Sequence, residues 1–492
     1  MAQLTIPQAF ARAVQHQQAG QLAEAEQIYR QILAQQPGQV ETLYQLGVLA
    51  YQAGRPEAAV ELLRQVVAMK PQLAEAHCNL GKILREMGRL EEAVAACRQA
   101  LVLKPHFPEA CYNLGVALSD MGDGLLEEAV AAYQRAIELK PDFAEAYCNL
   151  GSALRKKGLL EAAEVAYREA SARKPDFPEA HSNLGVVLQE RGQLAEAGAA
   201  CERAVALKPD YAEAHYNLGN VLQELGRPDE AIAAYRRAIA LKADYAAAYS
   251  NLGNALKDRG EVEEAVAAFR RALELQPDFV TAGSSLVYTL HFHSGYDAWK
   301  IDRENRRWNR RHAAVLGRVS APHGHGRAAG RRLKIGYVSP DFYQQAEAFF
   351  TVPLLAHHDH AGFEIYCYSS VRKPDQVTQR LRKCADGWRE VRHLNDEALA
   401  QMIRRDGIDI LVDLTMHMAG NRALVFARKP APVQVCWLAY PGGTGLGTMD
   451  YRLTDSFMDE VGADTSCYAE KSVRLPDCWV VYDPLIELAP RP

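Results

Sequence analysis

The sequence has no apolar run long enough to cross a membrane, no C-x-x-C pair and no strong charge of either sign. Without a run of about 18 apolar residues we expect no membrane span. The net charge of -5 over 492 residues gives no general attraction to nucleic acid or acidic lipid. The ten cysteines occur singly, and the N-terminus lacks the pattern of a secretory signal. These features together predict a reduced, cytoplasmic protein.

The first 280 residues contain one unit that repeats. Glycine recurs every 34 residues with a single step of 36, and the positions are Gly47, Gly81, Gly115, Gly151, Gly185, Gly219 and Gly253. Each unit reads as two amphipathic helices joined by a short turn and ended by proline. A fixed 34-residue period of helix pairs is typical of tetratricopeptide repeats. We therefore predict an α superhelix of eight such repeats over residues 1–279.

Asparagine recurs in one register of these repeats, each time directly before Leu-Gly. The positions are Asn79, Asn113, Asn149, Asn183, Asn217 and Asn251. Asparagine is a mediocre helix former, so six recurrences call for a reason. One reason is a hydrogen bond that ties a helix to the backbone of its neighbour. The other is a ladder of amides in the groove that binds polypeptide backbone, and both stay open.

Four further segments follow the repeats. Residues 280–316 are predicted as capping and basic helices, 317–332 as a linker, 333–484 as an α/β lobe and 485–492 as a tail. From Arg303 to Arg332 there are nine arginines and one acidic residue, Glu304. No nucleic-acid-binding motif accompanies them, so a solvated basic helix and linker is the better interpretation.

Four short β-rich runs, "LKIGYV", "FEIYCYS", "IDILVDL" and "VQVCWLA", alternate with helical stretches after Leu333. This pattern predicts a parallel sheet covered on both faces. Polar loops follow three of the strands, and such loops converge at the carboxyl edge of an open sheet. The first contains Asp341, the second contains His417, and the third is "YPGGTG". That third loop comprises Tyr440, Pro441, Gly442, Gly443, Thr444 and Gly445. Its glycines would let backbone N–H groups approach an anion or a sugar, although it matches neither a P-loop nor G-x-G-x-x-G. The "AHHDH" stretch lacks metal-ligand spacing, so we predict no metal site.

Three segments carry a family resemblance: "LKIGYVSPDF", "ILVDLTMHMAGNRALVFARKPAPVQVCWLAYPGGTG" and "MDYRLTD". Together with the repeats they resemble the O-linked N-acetylglucosamine transferases of the SPINDLY type. The resemblance implies a two-lobed Rossmann-like glycosyltransferase fold. It implies transfer of a sugar, most simply from UDP-N-acetylglucosamine, to Ser or Thr of proteins that the repeats hold. It implies protein partners rather than nucleic acid or membrane, no cofactor, and leaves a homo-oligomer through the repeats open.

The sequence departs from that family pattern in three ways. Gln345 stands where the family has a His near the reacting centre, and an amide cannot exchange a proton as imidazole does. Met416 and Met418 flank the retained His417 in place of Gly and Thr. The chain also holds one lobe, half of the expected fold. We therefore expect catalytic candidates at Asp341, His417 and the degenerate Gln345, and an inactive chain when it is assayed alone. The alternative is a non-catalytic protein-binding scaffold.

Overall fold

A computed structural model describes residues 5–317, 330–483 and 485. Contacts between residues divide the chain into two compact units, Met1–Glu230 and Ala231–Pro492. Most of the predicted linker, residues 318–329, lies outside the described residues, as does most of the predicted tail. The predicted domain boundaries therefore stay predictions.

The first unit consists of paired helices, as the 34-residue period predicts. They are α1 (Ile6–Gln18), α2 (Leu22–Gln35), α3 (Val40–Gln52), α4 (Pro56–Met69), α5 (Ala74–Glu86), α6 (Leu90–Leu103), α7 (Pro108–Met121), α8 (Leu126–Leu139), α9 (Ala144–Lys156), α10 (Leu160–Arg173), α11 (Pro178–Glu190), α12 (Leu194–Leu207) and α13 (Ala212–Glu224). The one 36-residue step is explained by a 3₁₀ turn, Asp123–Leu125, inserted between α7 and α8.

The recurrent glycine lets the two helices of a repeat approach closely. At Gly151 of α9, an added Cβ would lie 2.9 Å from the ring of Tyr167 in α10. That ring is 1% exposed, so it has no room to move aside. Ala163, at the start of α10, is fully buried for the same reason. Small residues at these positions are thus required by packing.

The second unit begins with the remaining helices. They are α14 (Pro228–Leu241, which crosses the division between the units), α15 (Ala246–Asp258), α16 (Val262–Leu275), α17 (Val280–Leu290), α18 (Ala298–Trp308), a π-helical turn (Asn309–Ala313) and α19 (Ala314–Gly317). α17 and α18 are tied together through Trp308, which is 3% exposed. Its Nε1 donates to the carbonyl of Val280 at 3.3 Å, and an added Cβ at Gly283 would lie 2.8 Å from its ring.

A seven-stranded parallel sheet with helices between its strands completes the second unit. Its elements are β1 (Leu333–Ser339), α20 (Ala348–Ala356), β2 (Phe363–Ser369), α21 (Gln376–Cys384), β3 (Gly387–Glu390), α22 (Asp396–Asp406), β4 (Ile410–Asp413), α23 (Ala423–Ala427), β5 (Val433–Cys436), β6 (Tyr451–Thr454) and β7 (Lys471–Arg474). The strand order is β3-β2-β1-β4-β5-β6-β7, and every pair is parallel. The predicted class, helical repeats followed by an α/β lobe, is confirmed.

Four of the seven strands, β1, β2, β4 and β5, coincide with the β-rich runs predicted from the sequence. The other three have four residues each and contain charged residues or glycine, so no continuous apolar run marks them. β7 at the edge is largely exposed. These strands form because a neighbour in the sheet supplies hydrogen bonds, which local sequence does not encode.

Candidate functional site at the centre of the sheet

The strand order places two polar loops side by side in the middle of the sheet. β1 and β4 are neighbours, with Val338 paired to Asp413, although β2 and β3 come between them in the chain. From this pair the chain continues toward opposite edges, so it is the switch point at which open parallel sheets bind ligands. The loop after β1, residues 340–347, and the loop after β4, residues 414–422, both begin there.

Asp413, the last residue of β4, has a carboxyl group that is only partly satisfied. The residue is 1% exposed, and its Oδ1 accepts from the backbone N–H groups of Thr415 at 2.9 Å and Met416 at 3.0 Å. Its Oδ2 has no hydrogen-bond partner among the described residues. Burial raises the pKa of Asp413 to about 6, although the two backbone bonds oppose the rise.

Glu347, at the start of α20, is a second buried carboxyl in the same place. It is 8% exposed, and neither of its oxygens has a hydrogen-bond partner of good geometry among the described residues. Burial raises its pKa to about 9, the charges of Asp341 and Asp413 add to the rise, and the nearby Gln345 amide opposes it. At neutral pH Glu347 is therefore an uncharged acid that can donate as well as accept a hydrogen bond. Glu347 is not among the site residues predicted from the sequence, although a Glu inside the otherwise apolar "AEAFF" is a usable signal.

Two of the predicted catalytic residues lie beside Glu347. Burial raises the pKa of Asp341 to about 6. The Gln345 side chain is half-buried, and its Nε2 donates to the backbone carbonyl of Asp341 at 3.2 Å. The Gln345 amide thus makes a hydrogen bond within its own loop, and it has no proton to exchange near neutral pH. The catalytic assignment of both residues stays a prediction.

His417 lies in the interior, where both of its ring nitrogens are engaged. It is 1% exposed, its Nε2 lies 2.9 Å from the carbonyl of Thr444, and its Nδ1 lies 3.3 Å from Ser284 Oγ. A carbonyl only accepts, so Nε2 carries the hydrogen and Nδ1 accepts from the Ser284 hydroxyl. Burial lowers the pKa of His417 to about 4, against the opposing effect of the Thr444 bond. The geometry gives His417 a structural part, because it connects α17 to the third loop; its predicted catalytic part stays untested.

The third loop, residues 440–447, is called the glycine loop from here on. Its Thr444 donates from the backbone N–H to Glu470 Oε1 at 2.6 Å, and the Thr444 hydroxyl bonds to the same oxygen. Asn305 Nδ2 of α18 donates to the carbonyl of Gly443 at 3.2 Å. Gly445 has a left-handed backbone with φ of 69°, which favours glycine. The glycine loop is among the predicted site residues. Glu470 and Asn305, which hold its shape, are not, because they lie far from it in the chain.

The three loops meet around Asp413. The loop after β1 reaches it through the charge interaction of Glu347 with Asp413, and the loop after β4 reaches the glycine loop through His417. Tyr440 of the glycine loop is buried, and burial raises its pKa well above the ordinary value, with the charges of Asp413 and Glu470 contributing. The convergence expected from a parallel sheet is thus observed.

No helix in the described part of the chain is long and apolar enough to span a membrane. Within residues 5–317, 330–483 and 485, no group of three or more His, Cys, Asp and Glu side chains could hold a metal ion. The histidines of "AHHDH" have other partners: His358 Nε2 lies 2.8 Å from the hydroxyl of Tyr337, and His360 Nδ1 lies 3.0 Å from Asp386.

Comparisons with known proteins match both parts of the chain. Residues 310–487 match glycosyl transferase family 41, and tetratricopeptide repeats match 10–74, 44–108, 176–244 and 210–278, with further repeat matches at 124–158 and 151–192. A probable UDP-N-acetylglucosamine–peptide N-acetylglucosaminyltransferase, SPINDLY of Arabidopsis thaliana, is 42% identical over 164 residues, which are 32% of this chain and 18% of that protein. The corresponding Oryza sativa protein is 37% identical over 200 residues, 40% of this chain and 21% of that protein.

A solved structure agrees with these matches. An O-GlcNAc transferase mutant of Thermobaculum terrenum is 38% identical with a TM-score of 0.58, over 62% of this chain and 58% of that one. The chain is homologous to the O-GlcNAc transferases. The aligned segment spans about a fifth of the length of the curated plant relatives. The resemblance stated from the sequence is thereby confirmed.

The recurrent asparagines of this O-GlcNAc transferase homologue make hydrogen bonds between successive repeats. The donors and acceptors are Asn79 to Tyr44 at 2.7 Å, Asn113 to Cys78 at 3.4 Å, Asn149 to Tyr112 at 3.0 Å, Asn183 to Cys148 at 3.8 Å and Asn217 to Ser182 at 3.0 Å. Asn251 is also engaged in an interaction. Each of these five acceptors is a side chain of the preceding repeat rather than the backbone expected from the sequence. Each of these half-buried asparagines uses its side-chain amide as a donor in one such bond. That the asparagines also bind peptide stays a prediction.

Proposed function

We propose that the chain is part of a protein O-glycosyltransferase. In this proposal the helical repeats hold an acceptor polypeptide, and the α/β lobe provides one side of the transfer site. The sugar is N-acetylglucosamine from UDP-N-acetylglucosamine, and it is transferred to Ser or Thr hydroxyls. Homology to the glycosyltransferases supports the reaction class, and the repeats support a protein acceptor.

The observation that carries this proposal is the meeting of three polar loops at the switch point of the family 41 segment. That point is where an open parallel sheet binds its ligand. The glycine residues of the glycine loop leave its backbone atoms free of side chains. Near Asp413 the carboxyl groups of Glu347, Asp341 and Asp413 itself all have a raised pKa. Raised carboxyl pKa values are common in sites that move protons.

A transfer assay tests the reaction. The purified 492-residue chain is incubated with labelled UDP-N-acetylglucosamine and a Ser/Thr-rich protein, and label on the protein is counted against a blank without enzyme. We expect no turnover clearly above the blank. Gln345 stands where the family pattern has a His and supplies no titratable proton, and loss of a general acid or base at such a position costs about 10²–10⁴-fold. Asp341 and Glu347 keep titratable protons, so turnover above the blank would point to these carboxyl groups.

Two results would decide between the reaction and the expected inactivity of this chain. Clear turnover would establish the transferase and overturn the expected inactivity of this chain. If the gene continues past codon 492, the same assay on its longest product decides the reaction itself, because absence of transfer there would refute the proposed function.

The alternative is a protein-binding scaffold that does not catalyse, and Gln345 in the place of an expected His is the observation that favours it. Both proposals require the repeats to bind polypeptide. If the asparagines take part, replacing Asn149, Asn183 and Asn217 with Ala should weaken binding of a Ser/Thr-rich peptide by roughly 0.5–1.5 kcal/mol per site. Isothermal titration calorimetry measures the change.

A matched control separates the two parts that an asparagine can play. Tyr112→Phe with Ser182→Ala removes the hydroxyl acceptors of Asn149 and Asn217 while keeping the amides. If peptide affinity falls in the triple variant and not in this control, the amides bind the peptide directly. Equal losses in both, or no loss in either, would leave only the bond between repeats.

A further inference from the structure

The outward side of α18 and of the π-helical turn that continues it carries a tryptophan and a series of arginines. The buried residues of α18, which pack into the second unit, are Ile301, Asp302, Asn305 and Trp308. The exposed residues that follow one another at steps of four, three and four are Trp299, Arg303, Arg306 and Arg310. Such steps place side chains along one face of a helix. These four exposed residues are called the arginine face from here on.

The helix neutralises only part of the positive charge on this side. Arg306 Nε lies 2.6 Å from Asp302 Oδ2, and Arg307 Nη1 lies 3.1 Å from Glu304 Oε2. The arginines of this stretch that form no ion pair within the described part of the chain are Arg303, Arg310 and Arg311. Three guanidinium groups without an acidic partner thus lie within nine residues, although the net charge of the whole chain is -5. Such a local excess of positive charge attracts an anionic partner.

The residue types of the arginine face favour a protein as this partner. Trp299 is 50% exposed, and tryptophan and arginine are enriched where proteins bind proteins, whereas lysine is depleted there. The one lysine of α18, Lys300, lies off the face and donates to the carbonyl of Gly295 at 2.7 Å. A guanidinium group binds a carboxylate through two parallel hydrogen bonds. An acidic polypeptide therefore matches both the charge and the composition of the face.

Two other classes of anionic partner fit the arginine face less well. Single-stranded nucleic acid is bound by several aromatic side chains on which successive bases stack, and this face has one such side chain, Trp299. A helix that lies on a lipid surface buries its apolar side in the membrane interface. The apolar side of α18 is packed inside the second unit, so it is not available to lipid.

The spacing of the arginines suits an extended segment. At about 1.5 Å per residue, Trp299 and Arg310 lie roughly 16 Å apart along the helix, a length that about five extended residues cover. Alternate side chains of an extended segment point the same way and are about 6.6 Å apart, which is close to the helical pitch of about 5.4 Å. We propose that the arginine face binds an extended segment of a partner protein with carboxylates at alternate positions. This surface lies outside the helical repeats, and its binding does not depend on the transfer reaction.

Fluorescence anisotropy on the purified 492-residue chain tests the proposal with a labelled peptide of alternating Glu and Thr. The ligand control is the neutral peptide of alternating Gln and Thr. We expect the acidic peptide to bind, and to bind more weakly as the salt concentration is raised. The triple variant Arg303→Gln, Arg310→Gln, Arg311→Gln should weaken binding about tenfold, because three exposed ion pairs are lost.

A matched control variant separates the arginine face from the charge of the chain. Arg372→Gln, Arg382→Gln, Arg405→Gln removes the same number of charges from exposed positions of the same unit, and it should leave the affinity unchanged. Trp299→Ala alters no charge and should weaken binding about fivefold, since a tryptophan at the centre of an interface contributes strongly.

Several outcomes would overturn the proposal. It is wrong if the wild type binds no acidic peptide, if the neutral peptide binds equally well, or if the control variant loses as much affinity as the triple variant. Single-stranded RNA or phosphatidylserine vesicles that bind more tightly than the peptide, and lose binding in the triple variant, would assign the face to another class of partner. Self-association of the wild type in sedimentation that the triple variant abolishes would assign it to a second copy of this chain. Circular dichroism checks that each variant folds, and Arg310→Gln alone, with an expected loss of about threefold, replaces a triple variant that does not.

Discussion

The buried carboxyl of Glu347 makes a prediction about stability that does not depend on catalysis. Glu347→Gln keeps the shape of the side chain and removes its ability to ionise. Burial and the charges of Asp341 and Asp413 raise the pKa of Glu347 from 4.5 to about 9. The folded chain therefore holds this proton more tightly than the unfolded chain does over the whole interval between those values.

The sign of the effect follows from that proton. A group whose pKa is raised by folding contributes its full stability below the unfolded value of 4.5, and the contribution is lost as pH rises toward about 9. The loss is about 1.4 kcal/mol per pH unit, so the second unit loses about 3 kcal/mol of stability between pH 4.5 and 7, because Glu347 ionises in the unfolded chain while the folded chain keeps the proton. Glutamine does not titrate. The variant should therefore gain on the wild type by about this amount as pH rises from 5 to 7.

Urea unfolding followed by tryptophan fluorescence measures the difference. All five tryptophans lie in the second unit: Trp299, Trp308, Trp388, Trp437 and Trp479. The control is Glu460→Gln, an exposed residue of the same unit, which water solvates in the folded and the unfolded chain alike. If wild type and Glu347→Gln show parallel stability from pH 5 to 8, Glu347 is charged in the folded chain and the reasoning is refuted.

Three further results are expected. Gly445→Ala should lower the free energy of unfolding by about 1–3 kcal/mol, because φ is 69° and the new Cβ would lie 2.5 Å from Asn305 Cβ. The control is Gly447→Ala, whose new Cβ would have no atom within 4 Å. It should lower the free energy of unfolding far less in the same urea titration. Burial lowers the pKa of His417 from 6.5 to about 4. Its contribution to stability is therefore complete above pH 6.5 and is lost as pH falls toward 4, by about 1.4 kcal/mol per pH unit. His417→Asn should flatten this dependence of stability on pH, and an unchanged dependence would show that His417 is solvated. Limited trypsin digestion should cut first within the predicted linker 317–332, and first cuts inside the repeats would show that the boundary is wrong.

The sequence by itself determined the helical repeats and the places along the chain of four of the strands. A 34-residue period of apolar and small residues has one solution, because each helix pair can bury its face only against the next pair. Gly151 is an example: its need for a small residue is local to one repeat and recurs with it. The apolar runs of β1, β2, β4 and β5 are equally local, since a strand covered on both faces is apolar along its length.

The chemistry of the site was decided only by the tertiary structure. His417 is a catalytic candidate from the sequence, yet folding brings Ser284 and Thr444 to its two nitrogens from positions 133 and 27 residues away. In the sequence, Glu347 has no feature that distinguishes it from an ordinary loop residue. In the structure, packing of α20 buries it and places Asp341 and Asp413 near it. A pKa depends on burial and on charges within a few ångströms, and those neighbours come from separate strands. Residue type and spacing identify which loops meet, whereas the protonation state of their side chains is set by what the fold packs around them.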